Sequence, residues 1–170
     1  MKAQIQAATA ALIGKALWTC RRAASMANFQ FGERKKTLDH YGRPSEVGEY
    51  ALHVDCAWRI TLADRVVVGN RDLYYPADYG NEGPVPADFD WGRDPTRRDK
   101  LLGLLFENGT RQFIVQRIEA GAAGSLHIDL SEGYSLEVFP DDSLGDEYWR
   151  LFAPEEDKPH FVVRGVGIET

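Results

Sequence analysis

The chain has 170 residues, 44% of them hydrophobic and 11% aromatic, enough apolar material for a core and too much for a disordered chain. Its formal net charge of -6 argues against a nucleic-acid partner, which calls for a clustered basic face. No apolar stretch is long enough to cross a bilayer, so no membrane span is expected and the cytoplasm is the expected compartment.

Residues 3–13 predict a helix, with Ile5, Ala8, Leu12 and Ile13 on one stripe. "ALWTCRR" and "ANFQFGE" then alternate as strands, pairing Trp18 with Cys20 and Phe29 with Phe31 on their faces. The polar stretch "RKKTLDHYGRPSEVG", with its Gly and Pro, predicts a loop. "EYALHVDCAWRI", 49–60, predicts one strand. Tyr50, Leu52, Val54, Cys56, Trp58 and Ile60 share its core face, and His53, Asp55 and Arg59 take the other. A short strand follows at 65–68.

Residues 76–95 carry four prolines and three glycines, which exclude regular structure. The loop also holds Tyr79, Phe89 and Trp91 among five acids, so it either packs on the body or offers a surface to a partner, with Phe89 and Trp91 as candidate binding residues. Asp94 and Pro95 suit the N-cap and first position of a helix over 94–108, with Leu101, Leu104 and Leu105 as its apolar stripe. The competing reading is a hairpin turning at Asn108-Gly109; the leucine spacing favours the helix. From Arg111 onward, five short alternating segments read as a meander. The expected fold is a single α+β domain over 1–170. It has two short helices and a twisted, mostly antiparallel sheet curling toward a roll, divided into 1–75, the loop 76–95 and 96–170.

"GEYALHVDCAWRI", "VVVGNRDLYYP" and "LEVFPDDSLGDEYWRLF" together resemble a family of uncharacterised small bacterial proteins, largely actinobacterial. The family brings no established activity. The last segment also resembles a motif of small proteins associated with toxin–immunity loci, carried here by Leu136, Glu137, Val138, Glu147, Trp149, Arg150 and Leu151. That resemblance implies a protein-binding role.

Chemistry-bearing motifs are few. There is no Gly-x-Ser-x-Gly, no P-loop and no Gly-x-Gly-x-x-Gly, and no cofactor is expected. Cys20 and Cys56 make no disulfide framework and read as reduced, buried thiols. His53 lies three residues from Cys56, on the opposite face of a strand, which is poor geometry for a nucleophilic dyad. Asp88, Asp90 and Asp94 lack the spacing of a calcium loop. Two His-x-Asp pairs, His53/Asp55 and His127/Asp129, would form a metal site if their strands were neighbours; the plainer reading is a solvated sheet face.

Charge is uneven along the chain. Residues 1–36 hold seven Lys/Arg and one acid, whereas residues 129–170 hold three Lys/Arg and eleven acids. Arg21, Arg22, Arg34, Lys35 and Lys36 make a basic set, read as a solvated face or an internal partner for the acidic end. Two functions follow. The first is a non-catalytic, immunity-like interaction module binding a basic protein partner through Glu137, Asp141, Asp142, Asp146 and Glu147. The second is a small metal-dependent enzyme built on the two His-x-Asp pairs.

Overall fold

A computed structural model describes residues 1–80 and 82–170. Helix α1 (Lys2–Thr9) leads into a 3-10 turn and then strands β1 (Ala16–Ala23), β2 (Met26–Leu38), β3 (Pro44–Val54), β4 (Ala57–Leu62) and β5 (Arg65–Gly69). Helix α2 (Arg97–Leu105) follows the long loop. The remaining strands are β6 (Phe113–Ala120), β7 (Leu126–Leu130), β8 (Tyr134–Phe139), β9 (Glu147–Phe152), β10 (Phe161–Arg164) and β11 (Gly167–Glu169). The fold is α+β: two short helices and one antiparallel sheet in the order β11-β10-β9-β3-β2-β1-β6-β7-β8-β4-β5.

The sheet doubles over so that its two halves face one another. Only two residue pairs, Ala16–Ile114 and Leu17–Phe113, join β1 to β6 at the fold line. Apolar side chains from both halves then meet in one core. Phe29 on β2 lies edge-on to Trp58 on β4, and Trp149 on β9 donates its indole N–H to the Gly124 carbonyl, in the turn just before β7, at 2.7 Å. The strand pleat directs every second side chain into this space, where apolar residues alternate with outward polar ones as in β7 and β8, and burying them drives the doubling. Helix α1 closes one edge: Ile5 and Leu12 are fully buried, and Gln6 bonds both Ile118 O and Ala120 N of β6.

Four expectations are corrected. Residues 49–60 are not one strand. They break at Asp55 and Cys56, whose N–H groups both donate to Tyr148 O (2.9 and 3.2 Å) while the chain passes from one half of the sheet to the other. The stretch 34–48 is not a loop: Arg34 to Leu38 pair with Gly48 back to Pro44, extending β2 and β3 as a two-stranded ribbon. A bulge between Phe31 and Arg34 bends it, and only glycine fits at 48, where a Cβ would stand 2.5 Å from Phe31 O. The C-terminal meander holds for β6-β7-β8 only. β8 pairs with β4, and β9 crosses to pair with β3 and β10.

Helix α2 is the fourth case. It is a helix, as its leucines predict, but it is capped by Thr96, whose hydroxyl accepts from Asp99 N at 3.2 Å. Asp94 instead accepts from Asp90 N within the loop, and a bridge between Pro76 and Thr96 holds the backbone extended until the cap. Arg98, Leu102 and Leu105 form the buried stripe, and Leu104 is 65% exposed.

Candidate functional site

The β8–β9 turn, residues 140–146, carries the acids singled out in the sequence. It lies at the corner where β3 passes into β4. Ala57 N donates to Asp141 Oδ1 at 3.2 Å, and Asp142 Oδ1 accepts from Leu144 N at 2.9 Å. The buried Tyr148 hydroxyl donates to the Asp142 and Leu144 carbonyls, at 3.0 and 3.3 Å. Gly165 N donates to Asp146 O, and the β10–β11 turn packs against this one so closely that a Cβ at Gly165 would stand 1.8 Å from Leu144 O. The turn is therefore held by three neighbours, Ala57, Tyr148 and the β10–β11 turn, besides its own internal bond.

Two apolar side chains protrude from this clamped corner: Leu144 is 60% and Val166 82% exposed. Around them Asp141, Asp142 and Asp146 are exposed, and among the described residues none has a cationic side chain within ion-pair distance. Their field is felt locally. Burial, then Asp142, push the Tyr148 hydroxyl up, and burial, then Asp141, push the Cys56 thiol up to about 12.

The other two predicted acids are differently placed. Glu137 stands on the outer face of β8, held by Arg59 Nη2 at 2.7 Å and Nε at 3.0 Å. Glu147 opens β9 and accepts from Arg150 Nη2 at 2.9 Å. Both are half-buried and committed to these arginines, so only the three aspartates of the turn face outward together.

The two His-x-Asp pairs do not converge. His53 is on β3 and His127 on β7, with β2, β1 and β6 between them in the sheet. His53 packs edge-on to Phe152 at 4.8 Å, and Phe152 stacks on His160 at 4.1 Å. Burial, with Arg150 and His160 nearby, pushes the imidazole down to about 4. Asp55 sits in the crossover, its carboxyl pushed up by burial and by Glu147. His127 Nε2 lies 2.8 Å from Asp129 Oδ1, and Arg117 Nε donates to Asp129 Oδ2 at 2.7 Å. That bond holds the Asp129 carboxyl below the usual range. Among the described residues, no group of three or more His, Cys, Asp or Glu side chains is placed to hold a metal ion.

Tyr79, Phe89 and Trp91 of the 76–95 loop pack on the body, at the α2 end of the fold, while 82–84 and 86–88 are exposed. Trp91 meets Tyr74 edge-on at 5.8 Å, and its carbonyl accepts from Arg22 Nη1. Tyr79 O accepts from Arg97 Nη1 at 3.2 Å, and Phe89 is half-buried in a shallow groove with Pro76, Pro86 and Pro95. Phe89 and Trp91 thus belong to a different region from the acidic turn.

Sequence reasoning missed one arrangement. Trp18, buried on β1 beside a bulge between Leu17 and Thr19, lies under two guanidinium groups. Arg34 Cζ is 4.6 Å and Arg21 Cζ 5.8 Å from its ring centroid. The sequence groups Arg21 and Arg34 in one basic set but does not show that both reach Trp18, because the ribbon that begins at Arg34 reads as a loop. No helix among the described residues is long and apolar enough to cross a membrane. No family model, curated protein or solved structure matches the chain.

Proposed function

We propose that the protein is a non-catalytic interaction module, immunity-like in kind and acting in the cytoplasm, that docks a basic protein partner on the acidic β8–β9 corner. The observation that carries this reading is Leu144 and Val166, exposed on the two turns that lock together at this corner, with Asp141, Asp142 and Asp146 exposed on the first of them. An apolar centre with a charged rim is the anatomy of a protein interface. Because Tyr148 and Gly165 already fix the turn, docking costs little ordering entropy. The exposed carboxylates steer a cationic partner in and lose little hydration until contact.

The test begins with recovery of partners from the native host on the immobilised chain. The association rate of the recovered partner is then followed against salt for wild type and for a variant with Asp141, Asp142 and Asp146 each changed to Lys. The expected result is a wild-type rate that falls as the Debye length shrinks from about 8 Å, and a variant at least about tenfold slower in low salt. A rate and salt slope identical in the two proteins overturns the reading. Leu144→Ala separates the apolar centre from the rim, raising the dissociation rate while leaving association largely unchanged.

A further inference from the structure

The groove over Trp18 lies between α2 and the β2–β3 ribbon and has a volume of about 420 Å³, in the range of small-molecule sites. Cys20 and Trp18 form part of its floor, Gly103 of α2 and Gly109 just beyond it part of one side, and Arg21 of β1 with Arg34 and Glu46 of the ribbon the other.

The lining holds two arginines, Arg21 and Arg34, and two carboxylates, Glu46 and Asp99; the cationic excess comes from Arg22 and Arg98 just outside it. Arg34 uses Nη2 on the Gly109 carbonyl at 2.7 Å, and Arg21 uses Nη1 on the Glu46 carbonyl at 3.1 Å and the Ser45 hydroxyl at 3.5 Å. The remaining nitrogens of both forks have no carboxylate within ion-pair distance among the described residues. Asp99, on the α2 side, is already taken by Arg22 Nε at 3.1 Å and by the Thr96 hydroxyl at 2.8 Å. Glu46 contributes one carboxylate to the rim. Behind the floor, close enough to Cys20 to perturb its thiol, Arg98 is 1% exposed. Among the described residues it has no carboxylate partner and bonds the Ser25 carbonyl at 2.9 Å and Asn70 Oδ1 at 3.2 Å, with its Nη2 unpartnered.

We infer that this groove is a binding site for a phosphate-bearing small molecule, the phosphate bridging Arg21 and Arg34. Two planar guanidinium forks over one ring match a tetrahedral dianion, whose several oxygens engage both forks from one centre; a dicarboxylate such as succinate must order its flexible chain to reach both. The Trp18 indole fixes the two cations by cation–π attraction, so the site is pre-organised. Each fork is also tethered to a backbone carbonyl, which limits the rotamer freedom lost on binding. The buried Arg98 adds positive potential in a region that water screens poorly.

The site is separate from the acidic corner, so its test is too. Calorimetric titration of the intact protein with inorganic pyrophosphate, with nucleoside 5′-monophosphate and with succinate compares the phosphate sources and the carboxylate alternative. The expected result is phosphate binding with Kd below about 1 mM and succinate at least about tenfold weaker. R21Q and R34Q each weaken pyrophosphate at least about tenfold. R34K falls between R34Q and wild type, because it restores charge without the fork. Arg65→Gln, on β5 away from the groove, binds as wild type, as does a variant with Asp141, Asp142 and Asp146 changed to Asn. Thermal melts of R21Q and R34Q within a few degrees of wild type establish that lost binding is not lost folding. Absence of binding to both phosphates, equal affinity for succinate, or undiminished pyrophosphate binding in the R21Q/R34Q double variant overturns the assignment.

Discussion

The rings of Phe29 and Trp58 meet edge-to-face, 5.1 Å between centroids and 88° between planes, although they belong to opposite halves of the sheet. Phe29 is 0% and Trp58 1% exposed, so the contact sits at the centre of the core where the doubled sheet closes on itself. The guanidinium of Arg98 stands 6.0 Å from the same indole.

Trp58→Ala is therefore expected to cost about 3–5 kcal/mol, the transfer energy of the ring plus the cavity it leaves. Trp58→Phe is expected to cost less than about 2 kcal/mol, because Trp58 Nε1–H is buried with no hydrogen-bond partner among the described residues and its removal relieves an unmet donor. Chemical denaturation of both variants measures the difference. Equal losses would mean that the indole N–H is satisfied in solution, and a Trp58→Ala protein as stable as wild type would place the ring outside the core.

The alternation of residues 49–60 exposed this face in the sequence but hid the break within it. Val54, Cys56 and Trp58 are all buried, so the period of two runs unbroken across Asp55 and Cys56 while the backbone changes partners from β9 to β8. A chain that crosses between two halves of one core keeps its phase, and pattern alone cannot see the crossing. The ribbon at 34–48 fails to show for the opposite reason: it is largely polar on both sides, so no alternation marks it. Asp94 carries a genuine N-cap signal, yet the bridge from Pro76 to Thr96 moves the helix start by two residues. At the candidate site the turn and its aspartates were legible. The arginines that claim Glu137 and Glu147 were not, because Arg59 reaches Glu137 only through the pairing of β4 with β8.

The two thiols are expected to be inert in the folded protein. Burial pushes both Cys20 and Cys56 up to about 12, against an ordinary 9.0, which lowers the thiolate fraction about a thousandfold. Iodoacetamide at mildly alkaline pH should leave both unmodified in native buffer and label both in denaturant, read by intact mass. Rapid labelling of Cys56 alone in native buffer would show that the Asp55–Cys56 crossover opens, and with it the corner that carries the acidic turn.

His53 gives the fold a pH dependence whose sign follows from its burial. Its folded value is lowered from 6.5 to about 4, so between these values the unfolded chain binds a proton that the folded chain refuses. The group's contribution is complete above about pH 6.5 and is lost as pH falls toward 4. Partial exposure reduces its size to about 1–3 kcal/mol. Arg150 across the strand pair and His160 beyond Phe152 both disfavour the imidazolium, and the edge contact with Phe152 is made by the neutral ring. His53→Gln cannot take up that proton, so its stability is expected to change less than that of wild type between about pH 7 and about pH 4.5, the wild-type curve falling relative to the variant's as pH falls. Urea denaturation of both proteins across that range measures it. Parallel curves would mean that His53 is hydrated and titrates in the folded protein much as it does in the unfolded one.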